Sequence, residues 1–227
     1  MQQAGVKSGG VRAVLFDLDG TLIDSAPDLA GAANRLRAAH GLNDLPFEQL
    51  RPLVGTGARG MLGVAMGVGP DDKRFAALRD EFLAIYERGM LMRTHVFAGM
   101  VPVLNQLDSI RLPWGIVTNK AERFALPVIA GMALDLRAAV IVCGDTTPHA
   151  KPHPEPLLEA ARRMGVSAPD CVYVGDDLRD VQAGKAAGMA TLAAAWGYLG
   201  QGEHIDDWGA DAVIDLPANL LKWLDSA

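Results

Sequence analysis

The chain has 227 residues, 50% of them hydrophobic and 21% charged, with a formal net charge of -6. That length supports one large core, or a core with a smaller inserted unit, and the composition is that of an ordinary globular protein. The acidic balance, without any block of Lys and Arg, argues against a nucleic-acid partner, and no apolar run approaches the ~20 residues of a membrane span.

Met1 to Gly10 has no apolar core of the signal-peptide kind and reads as a leader without structure, so a cytoplasmic location is expected. A first strand is predicted over Val11 to Asp17. It runs into Asp17-Leu18-Asp19-Gly20-Thr21, two carboxylates followed by a glycine that lets the backbone turn and a hydroxyl. From Pro27 the pattern turns helical. One run carries Leu29, Ala32, Ala33, Leu36 and Ala39 up to Gly41, and another spans Asp72 to Met92 with Phe75, Leu78, Phe82, Ile85 and Tyr86 at helical spacing. Between them the glycine-rich Val54 to Gly60 starts a short helix whose Met61, Leu62 and Met66 are read as core. Further strands are predicted at Trp114 to Thr118, Ala139 to Cys143, Cys171 to Gly175, Ala190 to Ala194 and Ala212 to Ile214. Strands alternating with helices predict an α/β fold, a doubly wound parallel sheet of Rossmann-like kind. The expected division is a core of residues 1–26 and 93–227 with an all-helical insert, residues 27–92. Cys143 and Cys171 both lie in apolar runs and are read as reduced thiols.

Three predicted strands end in polar clusters: Asp17 and Asp19, Thr118-Asn119-Lys120, and Asp176-Asp177. In a parallel sheet these ends share one edge, where ligands bind. Asp17, Asp19 and Asp176 could converge on one Mg2+, with Asp180 in support from the next helical turn. Asp176, Asp177 and Asp180 would alternatively cap that helix, Asp177 most simply so. Lys151, among Pro152, Pro154 and Pro156, is a rigidly held point charge for an anion, or a solvated surface lysine. His153 reads as a ring packed beside the prolines. Thr118 and Asn119 can donate to phosphoryl oxygens, or merely cap a helix.

In this order the motifs resemble the haloacid dehalogenase-like superfamily: Asp17-Leu18-Asp19-Gly20-Thr21, Thr118, Lys151 and Gly175-Asp176-Asp177-Leu178-Arg179-Asp180 match its four signatures. The insert after the first of them is similar to the subgroup with a helical cap. The resemblance implies that Asp17 is a nucleophile forming an aspartyl-phosphate and Asp19 the acid and base. It implies Mg2+ held by Asp17, Asp176 and the main-chain carbonyl of Asp19, with Lys151 and Thr118 on the phosphoryl oxygens. Asp19 favours phosphate monoesters over halides, which leave without a proton, and over phosphonates, for which a cap lysine is needed. Lys73 stands alone between Asp24 and Asn119 as a candidate for that role, and it lies in a polar stretch. The chain looks like the phosphoglycolate phosphatase group, with Arg59 expected either to read the substrate carboxylate or to stand as an exposed arginine at a helix start. Ala195 to Gly200 and Trp208 to Asp211 also look like a branch acting on N-acetylmuramic acid 6-phosphate; Trp196 and Tyr198 there are read as packing the carboxyl-terminal edge, with lining of the entrance as the alternative. A sugar-phosphate mutase is the further alternative. The expected partner is a small phosphate ester, and the expected assembly a monomer or homodimer.

Overall fold

The computed structural model describes residues 10–200 and 202–226, so of the expected leader only Gly10 is among them. The chain opens on β1 (Ala13–Phe16), then forms β2 (Ile23–Asp24) and the helices α1 (Ala26–Ala39), α2 (Phe47–Leu50), α3 (Gly57–Met66) and α4 (Phe75–Glu87). β3 (His95–Val96) pairs antiparallel with β2 and closes this excursion at its base. Next come α5 (Met100–Ser109), β4 (Trp114–Val117), α6 (Glu122–Gly131), β5 (Val140–Val142) and α7 (Glu155–Met164). The chain ends through β6 (Cys171–Gly175), α8 (Leu178–Ala187), β7 (Ala190–Ala194), β8 (Ala212–Ile214) and α9 (Asn219–Leu224).

Six strands form one sheet in the order β5-β4-β1-β6-β7-β8, every neighbouring pair parallel. Both faces are covered, which is why these strands read as continuous apolar runs instead of alternating ones. Val14, Phe16, Val172 and Val174 belong to the core of one face, and Ala13, Leu15, Val117 and Tyr173 to that of the other. Phe16 meets Trp114 edge-on at 6.2 Å, and the Trp114 indole N–H donates to Asp108 at 2.8 Å. The consequence for function lies in the strand order. β1 sits between β4 and β6, so Asp17, Thr118 and Asp176 leave three adjacent strands side by side, at the point where the sheet's winding reverses.

Helices α1, α3 and α4 pack on one another. Met61, Leu62 and Phe82 are buried among them, with Met66 packed alongside. The base of this helical unit is tied more firmly than its apolar pattern suggests. Asp28 is buried and accepts from the backbone N–H of Arg93 and of Thr94, both at 2.9 Å, and from the Thr94 hydroxyl at 2.8 Å. The outgoing and returning chains are thereby joined. Tyr198 braces the same base from the sheet side, its hydroxyl oxygen accepting from the Ser25 N–H at 2.8 Å and the Ala26 N–H at 3.1 Å. Among the described residues no helix is long and apolar enough to cross a membrane. Cys143 and Cys171 are buried, unbridged thiols.

Candidate active site

A cavity of about 390 Å³ opens at the carboxyl edge of the sheet, beneath the helical unit. Its floor includes Asp17, Asp19, Lys151 and Asp176, while Val54, Phe82 and Tyr86 face it from above. The floor is organised around Lys151, which is buried. Its ammonium lies 2.7 Å from Asp180 Oδ1, 2.7 Å from the Tyr173 hydroxyl, 3.0 Å from the Val117 carbonyl and 2.8 Å from Asp17 Oδ1. An ammonium has three protons for these four acceptors. Tyr173 donates its own proton to Val117 at 2.8 Å and so can only accept from Lys151. Asp17 Oδ1 is left without an aligned hydrogen bond. Burial alone would lower the Lys151 ammonium, but Asp17 and Asp180 outweigh it and hold it above its ordinary value.

The carboxylates pay the electrostatic cost of this arrangement. Burial pushes Asp17 up to about 7 despite the pull of Lys151, and Asp180 and Asp19 add to the rise. Burial, then Asp17 and Asp180, drives Asp176 well above the carboxylate range, although Tyr198 N–H (2.7 Å) and the Thr21 hydroxyl (2.9 Å) both donate to it. Asp17, Asp176 and Asp180 each offer an oxygen within 4.8 Å of the others. Three carboxylates against one ammonium, one oxygen of them orphaned, form a donor set that suits a hard, oxygen-preferring cation. Asp180 is the least free of the three. Its Oδ1 serves Lys151, and its Oδ2 accepts from the Asp177 N–H at 3.1 Å in the capping box that starts α8.

Two glycines make this packing feasible. Gly20 has φ +87°, and a Cβ there would fall 2.2 Å from Asp176 Oδ2; a Cβ on Gly197 would fall 2.1 Å from Asp176 Cβ. The Gly20→Ala substitution is expected to lower stability by at least the ~1–3 kcal/mol of a strained left-handed residue. It should also displace Asp176, raising the divalent-ion concentration needed for half-maximal thermal stabilisation. Melting curves across a metal titration check both; an unshifted titration would refute the seating role of Gly20.

Asp19 stands apart from this cluster. The Ser25 hydroxyl donates to its Oδ1 at 2.5 Å, and the Lys120 ammonium reaches its two oxygens at 3.1 and 3.2 Å. Lys120 is largely buried and lies 4.8 Å from the Tyr86 ring centroid, against α4 of the helical unit. Burial opposes its charge, yet Asp19 and Tyr86 hold the ammonium above its ordinary value. The sequence placed Lys120 in a strand-end polar cluster without giving it a role, and it did not single out Tyr173. Tyr173 is hidden inside an apolar strand, and Lys120 follows Thr118-Asn119 as an ordinary surface lysine would.

The remaining expected residues divide. Thr118 is buried, and its hydroxyl accepts from the Lys120 N–H at 3.1 Å, leaving its proton free for a ligand. Asn119 lines the cavity, and both ends of its amide bond the Lys151 backbone: Oδ1 accepts at 2.9 Å and Nδ2 donates at 2.9 Å. It clamps the Lys151 loop with one amide proton and keeps the second for a phosphoryl oxygen. Arg59 is exposed on the first turn of α3 and is not among the residues lining the cavity. The arginine in the cavity wall is Arg179, paired with Asp177 at 2.7 Å and donating to the Gly55 carbonyl at 2.5 Å, which bridges sheet and helical unit. Trp196 donates to the Thr21 carbonyl at 3.1 Å; neither it nor Tyr198 lines the cavity. Lys73 is exposed and also outside the lining. His153 is exposed and stacks on His149, with ring centres 4.3 Å apart.

Residues 14–194 match the family described as haloacid dehalogenase-like hydrolase. The chain belongs to the haloacid dehalogenase-like hydrolases. It is 46% identical over 210 residues to a phosphoglycolate phosphatase of Xanthomonas campestris pv. campestris, covering 92% of this chain and 94% of that one. It is 40% identical over 217 residues to an N-acetylmuramic acid 6-phosphate phosphatase of Pseudomonas putida, covering 96% of this chain and 97% of the other. Among solved structures, a predicted phosphoglycolate phosphatase from Haemophilus somnus superimposes with a TM-score of 0.83 at 24% identity, over 94% of this chain and 97% of that one; this likeness concerns the fold.

Proposed function

We propose that the protein is a phosphatase that hydrolyses a small phosphate monoester through an aspartyl-phosphate on Asp17. The observation that carries this reading is the separation of two carboxylates only two residues apart into different environments. Asp17 faces Lys151 and the buried acids, while Asp19 faces Ser25 and Lys120. One is thus set as nucleophile and the other as proton carrier. Mg2+, held by Asp17, Asp176 and the Asp19 main-chain carbonyl, would neutralise the charge between nucleophile and phosphoryl group. Lys151 and the free Thr118 proton would hold the phosphoryl oxygens, where charge gathers during transfer. Asp19 would then give a proton to the leaving oxygen and, in the second half, take one from water. The helical unit would act as a cap over the floor and exclude bulk water during transfer.

The first substrate reading is 2-phosphoglycolate, supported by the relative with 46% identity and by Lys120, a buried cation in the cavity wall that Asp19 would share with a substrate carboxylate. The second reading is N-acetylmuramic acid 6-phosphate, which also carries a carboxylate. It is favoured by the cavity itself: about 390 Å³ with Leu29, Val54, Phe82 and Phe124 on its walls is more space and apolar surface than a two-carbon acid would use. The test is phosphate release from both esters with excess Mg2+, with glucose 1-phosphate included to detect isomer formation. Net phosphate release with at least a tenfold preference in kcat/KM for one carboxylate-bearing ester is expected. An isomer produced without phosphate release would replace hydrolysis by a mutase reaction.

A further inference from the structure

The loop that carries Lys151 has an outer face, and three potential ligands meet there: His149, His153 and Glu155. His149 Nδ1 lies 2.7 Å from Glu155 Oε2, and His153 Nδ1 lies 3.9 Å from the same oxygen. The two imidazoles stack with ring centres 4.3 Å apart. We infer that His149, His153 and Glu155 form a second metal site, selective for a borderline divalent ion such as Zn2+ over Mg2+.

Four observations support it. Two imidazole nitrogens and one carboxylate are a donor set for zinc, whereas Mg2+ prefers oxygen and water. Zinc–ligand distances of about 2.0–2.1 Å in a tetrahedron put the ligand atoms about 3.3 Å apart, a value bracketed by the two distances to Glu155. The Glu155 N–H, 3.2 Å from His153 Nδ1, marks that nitrogen as unprotonated, the tautomer a metal at Nδ1 needs, and an ion there would displace this long N–H contact. Finally, Pro148, Pro152, Pro154 and Pro156 punctuate the segment, so little chain freedom is lost when the ligands converge. The side chains are 61%, 49% and 36% exposed, which leaves them free to make the shift of about 0.6 Å that each distance to Glu155 needs and leaves the fourth position open to water.

The site is distinct from the acidic cluster but mechanically joined to it. His149 and His153 flank Lys151, whose backbone is clamped by Asn119 and whose ammonium meets Asp17. An ion here would pin the outside of the loop that supplies the catalytic cation.

Calorimetric titration with Zn2+ in excess Mg2+, so that the acidic cluster is occupied, tests the inference. Wild type should take up one Zn2+ that His149→Ala and His153→Ala each bind at least about tenfold more weakly, since even outer partners of metal ligands are worth 10- to 100-fold in affinity. The double variant should lose this uptake while keeping the Mg2+-dependent phosphatase rate and the melting temperature of wild type without zinc. Cobalt offered in place of zinc should give a visible ligand-field spectrum in wild type only. Equal Zn2+ uptake by wild type and the double variant, or no uptake by wild type, would reduce the cluster to a surface His–Glu contact. Failure of the phosphatase proposal would leave this result untouched, because the readout is metal uptake.

Discussion

Asp17→Asn is expected to lower phosphate release from p-nitrophenyl phosphate by at least about 10⁴-fold, the scale on which nucleophile removal acts in covalent catalysis. The change is nearly isosteric, and in this site it also removes a burden. Asp17 is a buried carboxylate pushed up to about 7, and its Oδ1 lacks an aligned donor. An amide carries no charge to desolvate, so the variant should melt no lower than wild type in the absence of divalent ions, and higher above about pH 7. Lost activity together with retained or raised stability separates a missing nucleophile from a damaged fold. Asp19→Asn provides the contrast. A leaving group such as p-nitrophenolate needs no proton, so its loss should be smaller with that substrate than with an alkyl phosphate. A variant at position 17 that turned over as wild type does would end the assignment, and equal losses with both substrates would remove Asp19 from protonation of the leaving group and confine it to the second half, where it takes a proton from water.

The sequence disclosed the parts of this site that depend on strand ends and missed those that depend on contacts between distant loops. Asp17, Thr118 and Asp176 were legible because each follows an apolar run, and a parallel sheet brings such ends to one edge. Lys151 was legible through the prolines around it. The two-residue strands β2 and β3 carry too few residues for any periodicity, so the limits of the helical insert were legible but the strand pair at its base was not. Asn119 shows why a residue type is a poor guide to its partner: the amide serves a backbone 32 positions away, and nothing local announces that. Arg59 and Arg179 make the same point about charge. Arg59 sat in the expected glycine-rich loop but is exposed and outside the cavity lining, whereas Arg179, inside the acidic motif, reaches across 124 positions to Gly55. Lys120 was the most consequential omission. A lysine after Thr-Asn carries no pattern, and its meaning comes from Tyr86 on α4, which covers it.

Lys151→Met should reveal how much of the fold's stability is held against its own active site. Removing one partner of a buried ion pair costs about 3–5 kcal/mol because the remaining charge is left without compensation. Here the orphaned groups would be Asp17 and Asp180 together. The loss should depend on pH in a direction fixed by Asp17. Its carboxyl titrates near 3.8 when unfolded and at about 7 when folded, so the folded state holds the extra proton between those values. Stability from this group is therefore complete below about pH 4 and is lost as pH rises through about 7. In metal-free wild type, the melting temperature should fall from about pH 5 to about pH 8, and in Lys151→Met it should fall more steeply, since nothing then favours the ionised form. Asp72 and Glu159, held down to about 2 by neighbouring arginines, titrate well below this window and do not confuse it. Mg2+ should flatten the wild-type slope, because a ligand of the ionised folded form adds about 2.7 kcal/mol at one hundred times its dissociation constant. Unfolding curves with EDTA and with Mg2+ across that range decide the matter. A metal-free melting temperature that stayed level or rose with pH would mean that the acidic cluster is not under the strain described. The need for a cation to relieve it would then fall as well.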